Sequence, residues 1–322
     1  ISYASGADRG KLTIEKRELT VKADNKSKDY DGSAFTAFTS TITGFASGEN
    51  DSVISGTVTY GGSAVGAVDA GTYTITPVVS GLSASNYFFT AQNGTLTINK
   101  VVLTVKADDK SKVWDGSAFT AFTRTITGFV NGENESVISG SVTYGGSAVG
   151  ATAVGTYTIT PIVSGLSATN YSFSPQNGTL TIAAWNAQGH GFYSPVGVPN
   201  SVFTAAPASA PLVNPGEAWN VAKGGSTVPL KFNVFAGTVE KTSLSDIKSF
   251  QTSKLATCSG GTGDDPVETL ATTGGTTLRY DTTAMQWVQN WQTPKVSNDT
   301  CYRAWATFAD GSSLEAFFKL RR

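Results

Sequence analysis

Three carboxylates crowd one short stretch of this chain, Asp24, Asp29 and Asp31. Such a cluster is a candidate site for a hard cation, since Ca2+ wants about six to eight oxygen ligands. The sequence carries its own control. Eighty-four residues on, Asp24 and Asp31 return as Asp108 and Asp115, but Asp29 is replaced by Val113. Losing a carboxylate in a near-copy favours ordinary turn residues over a Ca2+ site at Asp24, Asp31, Asp108 and Asp115. Glu49, Asp51 and the acidic segment 263–266 are the other acids that could contribute to one. His190 is the single imidazole and lies in Gly-His-Gly-Phe, away from any Gly-x-Ser-x-Gly or His-Glu-x-x-His context. With no nucleophile, base and orienting partner at recognisable spacing, the chain is expected not to be an enzyme and to need no cofactor beyond the Ca2+ weighed above.

Two other chemistries can be weighed on residue type. An isopeptide cross-link needs a buried lysine, whereas strand alternation turns Lys22, Lys106 and Lys231 outward, where each keeps its proton. Trp185, Phe192, Tyr193, Trp219, Trp287 and Trp291 could form a sugar-stacking platform, although a β-sandwich core needs several aromatics and is the stronger reading. Cys258 and Cys301 are the only cysteines. A lone pair in one region of a Gly- and Thr-rich chain favours a structural disulfide in an exported protein over a metal or redox site; two unpaired core thiols are the alternative.

The elements that must position these residues follow from a period-two pattern. Leu19, Val21 and Ala23 face one way and Thr20 and Lys22 the other, and Gly-Thr-Tyr-Thr-Ile-Thr-Pro (71–77) and Gly-Thr-Leu-Thr-Ile (94–98) alternate likewise. Asp-Gly-Ser, Tyr-Gly-Gly and Gln-Asn-Gly separate these runs as turns. The one helical candidate is 48–56, matched at 132–140, where acids come early and glycine closes. The pattern predicts a mainly β protein. Its small repeats are β-grasp-like if that segment is a helix and β-sandwiches if it is not.

The pattern recurs with a fixed offset of 84 and no gap. Residues 17–100 and 101–184 agree at about three positions in four. Only Asn-Lys-Val-Val separates the last strand of one repeat from the first of the next, which predicts neighbours held in nearly fixed orientation as a semi-rigid rod. Residues 1–16 align without gaps on 85–100, placing Tyr3 on Tyr87, Leu12 on Leu96 and Ile14 on Ile98. They read as tail strands of a preceding repeat within a longer protein, and Tyr3, Leu12 and Ile14 could serve as an assembly strand lent to a neighbouring copy. Beyond Ile182 the composition changes, and five of the six tryptophans follow. Residues 185–322 read as an Ig-like β-sandwich, with Val228, Leu230, Phe232 and Val234 inward and a hairpin turning at Asp310-Gly311.

The formal net charge is -1 and charged residues make up 15%, which leaves no electrostatic footprint for nucleic acid or an anionic membrane. No apolar run is long enough for a bilayer. Leu-Thr-Val-Lys-Ala, Tyr-Asp-Gly at 30–32, Gly-Thr-Tyr-Thr-Ile and the Asn-Tyr to Asn-Gly-Thr-Leu-Thr-Ile run at 170–182 resemble the MBG and YDG repeat domains of large bacterial surface and secreted adhesin-like proteins. The tail, with Gly-Phe-Tyr-Ser-Pro-Val at 191–196, Val-Pro-Leu-Lys-Phe at 228–232 and the two cysteines, resembles a PxKF-type domain. Neither resemblance brings an active site. Trp114 replaces tyrosine in the second Tyr-Asp-Gly, implying that an aromatic is needed there and a phenol hydroxyl is not. The reading is a non-enzymatic structural segment of an extracellular fibre or adhesin stalk at the cell surface, able to associate with further repeats or copies of itself. The alternative is a glycan- or protein-binding module displayed by the C-terminal domain.

Overall fold

The structure, a computed structural model, describes residues 13–188, 191–196, 201–204, 219–255, 258, 268–272 and 276–322. The first repeat forms β1 (Arg17–Ala23), β2 (Lys26–Asp29), β3 (Ser40–Thr43), β4 (Thr59–Gly61), β5 (Gly71–Val78), β6 (Tyr87–Gln92) and β7 (Gly94–Asn99). The second forms β8 (Val101–Ala107), β9 (Lys110–Val113), β10 (Arg124–Thr127), β11 (Thr143–Gly145), β12 (Gly155–Ile162), β13 (Tyr171–Gln176) and β14 (Gly178–Ala183). Every bound in the second set lies 84 residues after its counterpart, so the sequence repeat is also a structural one.

Each repeat consists of two small sheets. In the first, β1 is central to the three-stranded sheet β3-β1-β6, and β2-β7-β5-β4 forms the four-stranded sheet. Leu19, Val21 and Ala23 are buried along β1 while Lys22 is exposed, as the alternation predicts. The chain passes between the sheets twice with almost no loop, from β1 into β2 and from β6 into β7. These passages touch at Gly94, where an added Cβ would lie 2.4 Å from the Ala23 carbonyl oxygen. Gly178 stands in the same relation to Ala107, at 2.3 Å. Backbone cannot yield as a side-chain tip can, so Gly94→Ala is expected to destabilise the first repeat by about 2–3 kcal/mol, read by urea unfolding. Wild-type stability in that variant would show that the close approach is not needed.

The segment read as a helix is a three-residue 3-10 turn, Asp51–Val53, capped by the Asn50 side chain and burying no residue; Glu135–Val137 repeats it. Nine residues containing Val, Ile and terminal glycines are too few to nucleate an α-helix, so nothing helical is available for a sheet to grip. The two-sheet alternative therefore describes the repeat.

The C-terminal strands are β15 (Ser201–Thr204), β16 (Asn220–Lys223), β17 (Thr227–Phe232), β18 (Phe235–Ala236), β19 (Val239–Glu240), β20 (Ile247–Lys254), β21 (Glu268–Thr269), β22 (Arg279–Asp281), β23 (Gln286–Gln292), β24 (Thr300–Phe308) and β25 (Ser313–Arg321). Strands β15-β25-β24-β20-β21, with β16 beside β25, form one sheet and β17-β23-β22 another. Phe232 on β17 meets Phe250 and Phe308 of the larger sheet at 5.7 and 5.8 Å, and Trp291 on β23 meets Phe318 at 4.9 Å. Two sheets interleaving aromatics in one core make a β-sandwich. The hairpin β24–β25 turns at Asp310-Gly311, with Gly311 at φ 90°.

Packing divides the chain differently from its sequence repeat. One compact unit comprises 1–106, 124–143 and 161–176, and the other 107–123, 144–160 and 177–322. The first unit thus joins the whole first repeat to the sheet β10-β8-β13, and the second joins the sheet β11-β12-β14-β9 to the C-terminal sandwich.

Candidate functional site

In the first unit the polar chemistry gathers where the repeats meet. Tyr30, directly after β2, is held by its own N–H donating to the Asn99 carbonyl at 3.0 Å. Its phenol reaches forward 103 residues and donates to Glu133 Oε1 at 2.7 Å. The other carboxylate oxygen of Glu133 accepts from Tyr171, whose hydroxyl also accepts from the Val130 N–H at 3.2 Å. The two phenol rings pack edge to face with centroids 5.8 Å apart. Beside them Asn170 is gripped at both ends: its Oδ1 accepts from the Ala70 N–H at 2.8 Å and its Nδ2 donates to Asp69 at 3.0 Å. Gly32 completes the fit, because the space where its Cβ would stand holds the Asn131 side chain, 2.3 Å away.

Beneath these bonds the apolar cores are continuous. Tyr30, Ile75, Leu96 and Ile98 of the first repeat form one buried cluster with Leu103, Val105, Ile126 and Tyr171 of the second. The neighbour is therefore part of each repeat's core, and the polar groups fix its register. Hydrogen bonding to Glu133, then burial, pushes the Tyr30 phenol from 10.0 up to about 12. Burial and Glu133 raise Tyr171 as well. A raised tyrosine stabilises the fold in full below pH 10, and that contribution is lost as pH rises towards 12. Unfolding measured from pH 9 to 12 should accordingly show a steeper alkaline loss for wild type than for Tyr30→Phe. Parallel curves would mean that the phenol is not held by Glu133.

The second unit builds its own contact on the corresponding residue. Trp114 occupies the position of Tyr30, and its ring meets Trp185 edge to face at 5.4 Å. The Trp185 indole N–H donates to the Trp114 carbonyl at 3.0 Å, the Trp185 backbone N–H donates to Asp310 at 2.6 Å, and Lys241 lies 4.7 Å over the indole ring. Trp114 and Val113 pack against the core of the sandwich. The hydroxyl is thus used where the neighbour offers Glu133, and an indole replaces it where the neighbour is the C-terminal domain. This corrects the inference that the phenol is dispensable.

The remaining residues singled out above fall elsewhere. Asp24 accepts from the Thr39 and Thr41 hydroxyls and Asp31 from Lys28 and the Ser33 N–H; these bonds hold both carboxyls below the ordinary carboxylate range. Asp108 accepts from Thr123, and Asp115, also lowered, from Lys112 and Ser117. They are bonded turn residues, and among the described residues no three acids, histidines or cysteines are grouped to hold a metal. Trp185, Phe192, Trp287 and Trp291 are buried in the sandwich core and Trp219 packs on Phe317, so the six aromatics do not form one exposed platform. Tyr193 lines a cleft of about 320 Å³ with Gln188, Asn233, Phe235, Met285 and Gln286. Lys22 and Lys106 are exposed and Lys231 half-buried. Cys258 and Cys301 are disulfide-bonded. Ile14 is exposed, while Tyr3, Leu12, His190 and 263–266 lie outside the described residues. No helix among the described residues is long and apolar enough to cross a membrane.

Residues 19–97 and 103–181 each match the family described as MBG domain (YGX type). No curated protein matches the chain in sequence. Among solved structures, the titin domains Z1Z2 in complex with telethonin match at 12% identity and a TM-score of 0.21, covering 70% of this chain and 98% of that one. The insect immune protein hemolin matches at 10% identity and a TM-score of 0.17, covering 94% and 76%. At these scores neither carries an argument, and the fold rests on the strand pairing described above.

Proposed function

We propose that this chain, whose residues 19–97 and 103–181 are two tandem members of the YGX-type MBG family, is a non-enzymatic structural segment of an extracellular bacterial fibre or adhesin stalk. The observation that carries the reading is the joint at Tyr30, Glu133 and Asn170. There the conspicuous polar side chains of a repeat are spent on the next repeat, with a continuous apolar core beneath them. A domain meant to stack turns such groups to its neighbour. The Cys258–Cys301 disulfide supports an oxidising destination, and residues 185–322 are read as a PxKF-type domain that follows the two repeats.

Surface labelling of the source cells tests the proposal. An antibody against 185–322 should label intact, unpermeabilised cells or their shed fibres, and the protein recovered should contain no alkylatable thiol. Labelling confined to permeabilised cells, with both thiols free, would contradict it. A second reading, in which the C-terminal domain displays a glycan or protein site, has one observation in its favour, the Tyr193 cleft beside Met285 and Asn233. Glycan-array binding that Tyr193→Ala abolishes would favour it.

A further inference from the structure

The first repeat carries a second copy of the face that receives Tyr30, and there Glu49 and Asn86 are exposed. Glu49, Asn86 and Tyr87 stand 84 residues before Glu133, Asn170 and Tyr171. They are prepared in the same way. The Ala46 N–H donates to the Tyr87 hydroxyl at 3.0 Å, as Val130 does to Tyr171, and the Tyr87 hydroxyl donates to Glu49 Oε2, as Tyr171 does to Glu133 Oε2. Lys16 donates to the Ala84 carbonyl at 3.0 Å and Lys100 to the Ala168 carbonyl at 2.7 Å. What differs is exposure. Glu133 and Asn170 are half-buried and Ile126 buried, whereas Glu49 and Asn86 are exposed and Ile42 only half-buried. Glu49 Oε1, the counterpart of the oxygen that takes Tyr30, has no donor among the described residues.

The substitutions between the copies identify the occupant. On the receiving side, Glu, Asn and Tyr are kept in both repeats; Ala46 for Val130, Ser47 for Asn131 and Ser85 for Thr169 are smaller in the first repeat, and Arg17 stands where Val101 packs against the shared core. On the inserting side both polar residues change in the second repeat, Tyr30 to Trp114 and Asp69 to Ala153, the copy whose Trp114 packs against the C-terminal domain. A second copy of this chain has no inserting face to offer, since its Tyr30 is engaged by its own Glu133 and its Trp114 by its own Trp185. The occupant must therefore supply its own unengaged phenol and carboxylate.

We propose that the face formed by Glu49, Asn86 and Tyr87 docks the four-stranded sheet of a further MBG repeat, one with Tyr and Asp at the positions of Tyr30 and Asp69. The incoming phenol donates to Glu49, and the incoming carboxylate accepts from the Asn86 amide. The proposal rests on the stacking reading above and names the partner it requires.

A three-repeat chain tests it, made by placing an added copy of residues 17–100 directly ahead of Arg17 in place of 1–16. Hydrogen exchange of the amides at 45–54 and 86–88 should slow at least roughly tenfold relative to the present chain. Most of that protection should vanish when the added copy carries the tyrosine-to-Phe and aspartate-to-Ala changes, and Glu49→Gln should weaken it independently. Unchanged exchange at 45–54, unfolding of the added copy, or protection indifferent to all three changes would each overturn the proposal. Tyr30→Phe in the same chain is the control, expected to loosen 129–138 only. If that control has no effect the stacking reading itself falls, whereas failure of the added copy alone removes only the docking face.

Discussion

Arg303→Met is expected to cost the C-terminal domain about 3–5 kcal/mol, because it leaves an acid buried without its partner. Arg303 on β24 donates through Nε to Glu315 on β25, and both side chains are almost wholly removed from solvent. Burial pushes the Glu315 carboxyl above its ordinary 4.5, and the Arg303 charge and hydrogen bond oppose that rise. The guanidinium also lies 4.8 Å from the Trp305 ring, so packing is lost together with charge. Removing Arg303 removes the opposition. A carboxyl whose folded pKa is raised costs nothing while protonated and destabilises as pH rises through that value. The deficit of Arg303→Met in urea unfolding should thus shrink as pH is lowered towards the ordinary glutamate range. The double variant Arg303→Met with Glu315→Leu should be more stable than Arg303→Met alone. A deficit below about 1 kcal/mol that does not vary with pH would show that the pair is dispensable.

Loss of the Cys258–Cys301 bond is expected to have a comparable effect. The bond spans 43 residues, and restricting a loop of that size in the unfolded chain contributes about 4 kcal/mol on the chain-entropy estimate. It ties the segment after β20 to the first residues of β24 in the larger sheet, where Leu255 also donates its N–H to the Cys301 carbonyl at 2.8 Å. Cys258→Ala with Cys301→Ala should lower the urea midpoint of the C-terminal domain by the corresponding amount while leaving the Tyr30 joint untouched. Equal midpoints for the oxidised, reduced and double-alanine chains would contradict this.

The strands were legible in the sequence because burial on a sheet alternates residue by residue. Leu19, Val21 and Ala23, and likewise Val228, Leu230, Phe232 and Val234, declare their inner face without help from the rest of the chain. The Asp310-Gly311 turn and the cysteine pair are local or arithmetical signals of the same kind. The joint was harder to read. Tyr30 and Glu133 are 103 residues apart, and no periodicity in either segment says which side of a small sheet meets a neighbour. Equal spacing marks where one copy ends and the next begins, and it is silent on the compact units, which take one sheet of the second repeat each. The sequence did hold a usable signal, the contrast between the copies. Tyr30 and Asp69 change in the second copy while Glu49, Asn86 and Tyr87 return as Glu133, Asn170 and Tyr171. Taken singly, the tryptophan at 114 suggested that a hydroxyl is superfluous; taken with Asp69 and Ala153, it marks a face that meets a different partner. The aromatics of the C-terminal domain were ambiguous for another reason, since composition cannot distinguish rings stacked in a core from rings lining a surface.

The central claim is that the two repeats are locked through Tyr30 and Glu133. A double-mutant cycle on the full chain tests it most directly, using Tyr30→Phe, Glu133→Gln and both together, with stability read by urea unfolding of the first unit. A part-buried hydrogen bond between a phenol and a carboxyl group predicts a coupling of about 1–2 kcal/mol, with the double variant losing clearly less than the sum of the two single losses. Losses that add to within about 0.3 kcal/mol would mean that the two side chains do not act on one another, and the joint could then not be what holds the repeats in register.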